Sequence, residues 1–341
     1  MSKTNGQNER IKRRYFTYLK EAGRMSEASI DTVAMALDRF ETYTGFKDFK
    51  AFNTQQAVGF KRHLENQTGI RSGKKLSKST LKSTLAALKR FFHWLAGQPG
   101  YKYRFTYSDT EYFNISFKDG RVAAARRAKP CPTLDQVRRV LDQMPTGTDI
   151  EKRDRALVAF VTLTGARDGA VASFKLKHVD PVEGLVWQDC QDVATKNSKT
   201  FDTYFFPVGE DICRVVTDWM NHLKATLLWG YDDPLFPTTD MGFGNDGGFR
   251  ALGLKRAHWS TAEPIRRIFK AAFENAGLPY YRPHSFRHML VRYGEQTCKT
   301  PEEFKAWSQN LGHDHVLTTF MSYGNVPTHR QGEVIKGLKT Q

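Results

Sequence analysis

Apolar side chains recur at helical spacing through most of this chain, and the breaks between the repeats fall at capping residues. After Ser26, read as an N-cap, Val33, Leu37, Phe40 and Tyr43 share one side of a helix that stops at Gly45. Asn53 followed by Gln56 has the form of a capping box, and Ala57, Phe60 and Leu64 make the next apolar stripe. A third helix is expected from Ser79, with Leu81, Leu85, Leu88, Phe92 and Leu95 on one side and Lys78, Lys82, Lys89 and Arg90 on the other. These stripes predict a small helical bundle over residues 1–100.

The texture changes after Gly97-Gln98-Pro99-Gly100. Residues 101–118 carry Tyr101, Tyr103, Phe105, Tyr107, Tyr112 and Phe113 among serines and threonines, a composition that predicts extended, strand-like chain. Arg121, Arg126, Arg127 and Lys129 follow, closed by Pro130 and Pro132, and read as a basic linker ending at 132.

A second domain is expected from Thr133, whose capping box with Gln136 starts a helix buried on Leu134, Val137 and Leu141. Arg155 to Leu163 is a nearly continuous apolar helix that delivers Arg167 just beyond Gly165. Strands are expected at 184–187 and 203–207, joined through a polar turn of Lys196-Asn197-Ser198-Lys199. Ile212, Val215, Val216, Trp219 and Leu223 mark another helix, as do Ile265, Ile268, Phe269, Ala272 and Phe273. Glycines 242, 244, 247 and 248 predict a mobile loop over 241–253, with no Gly-Lys-Ser or Gly-Lys-Thr to cradle a phosphate. The fold class is mainly α with a small β-sheet, the second domain being mixed α/β over 133–325, with a tail over 326–341.

Charge then points to a partner. The chain holds 52 Lys plus Arg against 36 Asp plus Glu, for a formal charge of +16. Residues 1–130 have 26 basic and 11 acidic side chains, whereas residues 131–341 have 26 and 25, so the positive field belongs to the N-terminal part. That field suits double-stranded DNA, because each neutralised phosphate releases condensed counterions. The candidate contacts are Lys74, Lys75, Lys78, Lys82, Lys89, Arg90, Arg121, Arg126, Arg127 and Lys129. No apolar run approaches the roughly 18 residues of a membrane span, and the N-terminus has no signal-peptide core, so a cytoplasmic place is expected. Cys131, Cys190, Cys213 and Cys298 show no CxxC pair and no zinc-ligand spacing.

The last quarter carries the chemistry. Arg282-Pro283-His284-Ser285-Phe286-Arg287-His288 is followed by Leu311-Gly312-His313 and then by Tyr323. With Thr164-Gly165-Ala166-Arg167 upstream and Lys199 between, the ordered set resembles the active site of the tyrosine recombinases, the integrase family. The resemblance covers residues 130–325 by motif and 8–100 by architecture. It implies a SAM-like core-binding bundle, a catalytic domain of the DNA breaking-rejoining fold, and cleavage of DNA through a covalent 3′-phosphotyrosine with no cofactor, neither metal nor ATP. It also implies a homo-oligomer, a tetramer on two DNA sites, with an accessory bending or directionality factor as a further partner.

The roles follow from phosphodiester chemistry. Negative charge builds on the nonbridging oxygens, so planar bidentate donors such as Arg167 and Arg287 suit them. Tyr323, with an ordinary pKa of about 10, needs a base, and His284 lies one helical turn from Arg287. Lys199 is the acid for the leaving 5′-oxygen, with Lys196 as its competitor, and His313 donates to the phosphate. Two departures stand out. Tyr323 is ten residues beyond His313 where nine is usual, and Ala170 occupies a position often acidic, leaving Asp168 to orient Arg167. Other readings are a histidine-metal nuclease built on His284, His288, His313 and His315, an inactive DNA-binding protein of the same fold, and a type IB topoisomerase.

Overall fold

The computed structural model describes residues 4–69, 73–125, 129–244 and 247–313. Arg126, Arg127, His315, Tyr323 and the tail from 326 lie outside the described residues. The chain divides after Ala125 into two units, each with its own buried core.

In the first unit Asn5 caps α1 (Gly6–Glu21), its side chain accepting from the amides of Gln7 and Asn8. Ile11, Tyr15 and Leu19 are its buried side, four residues apart. This stripe lies among basic residues and was not singled out from the sequence. Helix α2 (Glu27–Thr44) starts after Ser26 and ends as expected at Gly45, whose φ of 65° lets its amide cap Glu41 and Thr42. Asn53 caps α3 (Thr54–Asn66) through Gln56 N. Helix α4 (Lys78–Ala96) begins two residues earlier than expected: Ser77, not Ser79, is the extended cap residue, and its hydroxyl accepts from Thr80 N.

The aromatic segment departs further from expectation. Residues 101–118 hold no strand; they form turns, a 3₁₀ turn over Ser108–Phe113 and the start of α5 (Phe117–Ala124). Tyr101, Phe105 and Phe113 are buried in the bundle core. Phe113 stacks on Phe52 and Phe92 with ring centroids 5.5 and 5.4 Å away. Aromatic residues favour strands only when a neighbouring strand offers a surface, and here the phenylalanine cluster of α2 to α4 offered a better one.

The second unit opens with α6 (Leu134–Gln143), where both bonds of the Thr133–Gln136 capping box form. A second box, Thr148 with Glu151, starts α7 (Asp149–Thr164), whose residues from Ala156 to Thr164 are all buried. After the short α8 (Asp168–Val171) come β1 (Val179–Asp180), β2 (Leu185–Gln188) and β3 (Phe201–Tyr204), an antiparallel sheet in that order. Leu185 pairs with Tyr204 and Gln188 with Phe201, so β3 starts two residues before the expected strand and is an edge of the sheet. Helix α9 (Glu210–Asn221) packs on α7.

The glycine-rich stretch is a hairpin rather than a loop, β4 (Thr238–Phe243) against β5 (Phe249–Lys255). Gly242 serves cross-strand packing, since a Cβ there would meet Leu252 Cδ1 at 2.6 Å. Phe243 and Phe249 face each other across the tip at 5.5 Å. Helices α10 (Glu263–Asn275), α11 (Pro283–Thr297) and α12 (Pro301–Asn310) complete the described chain. Among the described residues no helix is long and apolar enough to cross a membrane.

Candidate active site

The site begins where α7 ends. Gly165 has φ 59°, and a Cβ there would come within 2.9 Å of Leu311 Cδ2 and 3.0 Å of Leu290 Cδ1. Only glycine satisfies both the left-handed turn and this contact with α11 and its neighbour. Two residues on, Arg167 leaves the turn in extended conformation and is half-buried.

Arg287, on α11, lies beneath that turn and is 3% exposed. Its Nη1 donates to Gly165 O at 2.7 Å and its Nη2 to Leu311 O and, at 3.2 Å, to His313 Nε2. One guanidinium thus holds the Arg167 turn and the His313 turn together. Because a guanidinium only donates, His313 Nε2 accepts, and the ring proton is assigned to Nδ1. Burial, then Arg287, Arg167 and Lys199, push the His313 pKa down to about 4, in keeping with a neutral ring.

Lys199 comes from the β2–β3 connection. Asn197 and Ser198, at φ 60° and 51°, make a tight left-handed turn just before it, a conformation Asn tolerates better than Ser. The Lys199 Nζ sits 5.7 Å from the Phe201 ring centre. Arg167, Lys196, Asn197, Lys199, Phe201, Gly312 and His313 line an open cleft of about 460 Å³. Three of the expected residues, Arg167, Lys199 and His313, therefore meet on one cleft, and Lys196 meets them there. Sequence reading passed over Phe201, two residues from the lysine, and Asn310, directly before Leu311-Gly312-His313; nothing local marks either.

His284 is on the solvent side of the first turn of α11, its pKa lowered by surrounding protein and then by Arg287, Lys129 and Arg167. The His288 ring lies 5.4 Å from it and is buried, its pKa pushed down to about 4 by burial and then by His284. Asp168, expected to orient Arg167, has its carboxylate on Arg266 Nε at 2.8 Å. Among the described residues no three His, Cys, Asp or Glu side chains stand together as metal ligands. Tyr323 and His315 lie outside the described residues.

A pH dependence follows. Unfolded histidine titrates near about 6.5, whereas His288 and His313 titrate at about 4 in the fold. Between these values the unfolded chain binds more protons, so stability is complete above the upper value and declines as pH falls toward the lower. The urea midpoint is expected to drop between pH 6.5 and 4.5, and His288→Gln is expected to make that drop shallower. An equal slope in the variant would refute the assignment.

In the first unit Lys74, Lys75, Lys82, Arg90 and Arg121 are exposed. Lys78 instead contacts Glu65 at 3.2 Å and Asp119 at 2.9 Å, and Lys89 contacts Glu111 at 2.7 Å. The segment after residue 100, by packing on α4, places carboxylates on part of the face expected to be uniformly basic. Lys129, in the second unit, is exposed.

Residues 133–329 match the model described as the phage integrase family, and residues 13–98 that of the phage integrase N-terminal SAM-like domain. The tyrosine recombinase XerC of Lactobacillus delbrueckii subsp. bulgaricus is 24% identical over 253 residues, 73% of either chain. XerC of Escherichia coli O157:H7 is 23% identical over 313 residues, covering 90% of this chain and 88% of its own. Among solved structures, a lambda integrase(75-356) dimer bound to a COC′ core site has a TM-score of 0.62 at 13% identity, covering 94% of this chain and 96% of that one. XerH site-specific recombinase bound to a difH substrate has a TM-score of 0.59 at 16% identity, covering 95% and 83%. These structures share the fold, and the family match spans more than half of the chain. It belongs to the phage integrase family, the tyrosine-type site-specific DNA recombinases.

Proposed function

We propose that this recombinase cleaves and rejoins duplex DNA through a 3′-phosphotyrosine on Tyr323, using neither metal nor ATP. The observation that carries the reading is the convergence of Arg167, Lys199 and His313, from three separate elements, on one cleft backed by buried Arg287. Arg167 offers the scissile phosphate a bidentate grip, and Arg287 supplies fixed positive charge behind it while setting the two turns. His313, with Nε2 engaged, donates through Nδ1–H. Neutral His284 takes the Tyr323 proton: burial and then Arg287, Lys129 and Arg167 keep its ring unprotonated and so able to accept one, while weakening it as a base, and the same cations favour the Tyr323 phenolate. The Tyr323 oxygen bonds to phosphorus, the bond to the 5′-oxygen breaks, and Lys199 protonates that oxygen. The phosphodiester energy stays in the new bond, so a second 5′-hydroxyl reverses the step.

Exposed Lys74, Lys75, Lys82, Arg90, Arg121 and Lys129, with Arg126 and Arg127, bind the phosphate backbone; Lys78 and Lys89 contribute less while they hold carboxylates. Exchange between two duplexes cuts four strands, and one tyrosine per protomer then requires four protomers. A lambda integrase tetramer bound to a Holliday junction, TM-score 0.59 at 14% identity, shows such an assembly for that protein. The working compartment is the cytoplasm, where the DNA is, and an accessory bending or directionality factor completes the partner set.

A nicked suicide duplex, drawn from a pool of sequences flanking the coding region, tests the reading. With chelator present and no ATP, wild-type protein is expected to form a denaturant-resistant DNA adduct. Cleavage that returns only when metal is added back would sink it.

A further inference from the structure

We infer that Asn310 is a positioning residue that sets Lys199 against His313, by holding the edge of β3 to the end of α12. The inference rests on the reading of Lys199 as the acid for the leaving group.

Asn310 is the last residue of α12, directly ahead of Leu311-Gly312-His313. Its side-chain amide pairs twice with one backbone unit of β3: Tyr204 N donates to Oδ1 at 2.7 Å, and Nδ2 donates to Tyr204 O at 2.8 Å. A primary amide has the same donor and acceptor as a peptide group, so Asn310 behaves as one residue of an added strand on the open edge of the sheet. The main chain of Asn310 is held as well. Thr203 Oγ1 donates to Asn310 O at 3.0 Å and accepts from Gln188 Nε2 at 2.8 Å. Thr203 and Gln188 are buried, so this second contact runs from β2 through β3 to α12 away from solvent.

A third contact reaches the chemistry. The Phe201 ring approaches Gly312 so closely that a Cβ there would meet ring carbons at 2.6 Å, and Gly312 has φ 69°. The same ring carries Lys199 Nζ at 5.7 Å from its centre. Lys199 thus connects to His313 through Phe201 and Gly312, and Asn310 fixes the strand that bears Phe201. Strand β3 has only four residues and follows a turn with two left-handed residues, so it has little else to set its distance from α12. Releasing Asn310 lets the strand edge shift, and an error of about 1 Å at an acid that must reach one oxygen is costly.

The leaving atom distinguishes positioning of the acid from general support of the fold. A thiolate departs without a proton, so a suicide duplex with sulfur in place of the bridging 5′-oxygen makes the acid unnecessary. Asn310→Ala is expected to cleave the oxygen duplex about 10- to 100-fold more slowly than wild type, part of what general acid catalysis contributes, and the sulfur duplex within about threefold of it. Asn310→Asp, which keeps the acceptor for Tyr204 N and loses the donor to Tyr204 O, is expected to fall between. Thr203→Val, nearly isosteric, gives the same oxygen-to-sulfur contrast if Asn310→Ala fails to fold. Equal slowing on both duplexes in folded variants would overturn the positioning role. Lys199→Ala is the reference: if sulfur does not restore it, the acid is not Lys199 and the inference falls with that reading; if sulfur restores Lys199→Ala but not Asn310→Ala, only the inference falls.

Discussion

Tyr323→Phe is expected to abolish the covalent DNA adduct and to lower strand cleavage by at least about 10³-fold, the scale seen when an enzyme loses its nucleophile. The change removes one oxygen and leaves the ring, so the fold should survive, and the noncovalent grip on DNA, carried by many basic side chains, should stay within about twofold of wild type. The measurement is a denaturing gel of a labelled suicide duplex beside a native binding titration of the same protein. Tyr323 is the last of 13 tyrosines, and the one before it, Tyr293, belongs to α11 against Trp307. An adduct that persists in Tyr323→Phe would therefore point to an unrelated nucleophile and remove the basis of the proposed mechanism.

Arg287 carries the other large effect, because its loss strikes stability and chemistry together. Its guanidinium is buried and donates to two backbone carbonyls 122 and 24 residues away along the chain, those of Gly165 and Leu311. Arg287→Ala leaves both carbonyls without this donor and frees the turn bearing Arg167 from the turn bearing His313. A destabilisation of about 2–6 kcal/mol is expected, from about 1–3 kcal/mol for each buried carbonyl left without its donor, read as a lower urea midpoint. Cleavage should fall by about 10²-fold or more, since a fixed cation at the developing charge is lost. The His313 pKa should rise from about 4, because Arg287 is its largest charged neighbour. Arg287→Lys keeps the charge but not the planar fork, so it should recover part of the stability and little of the rate. A variant as stable as wild type would show that the two turns are held by other contacts.

The same residue shows how far the sequence reaches. Its motif, His284-x-x-Arg287, was legible, and so was its place on a helix one turn from His284. What Arg287 does there was read as a grip on phosphate. In the fold it also donates to the carbonyls of Gly165 and Leu311 and to His313, a structural role that the motif does not announce. The basic face of α4 followed the same course: the lysines are where the pattern put them, but Lys89 met Glu111 from the stretch read as extended, and Lys78 met Asp119 from the stretch read as linker and Glu65 of α3.

By itself the sequence determined several helices and some of their ends, and the order of the candidate chemistry. Thr133 with Gln136, and Gly45 and Gly165 at their left-handed stops, act over three or four residues, so the signal and the structure it causes lie together in the chain. The stretches at 101–118 and 241–253 were misread because their composition leaves several conformations open, and packing chose among them: a phenylalanine core drew in the first, and a facing strand paired the second. Tertiary structure alone decided that Asn310 completes the edge of β3, that Phe201 lies between Lys199 and Gly312, and that His313 is neutral. The first two depend on groups more than a hundred residues apart, and the third on burial and on Arg287, 26 residues upstream, so none leaves a periodicity or a cap in the sequence around either partner.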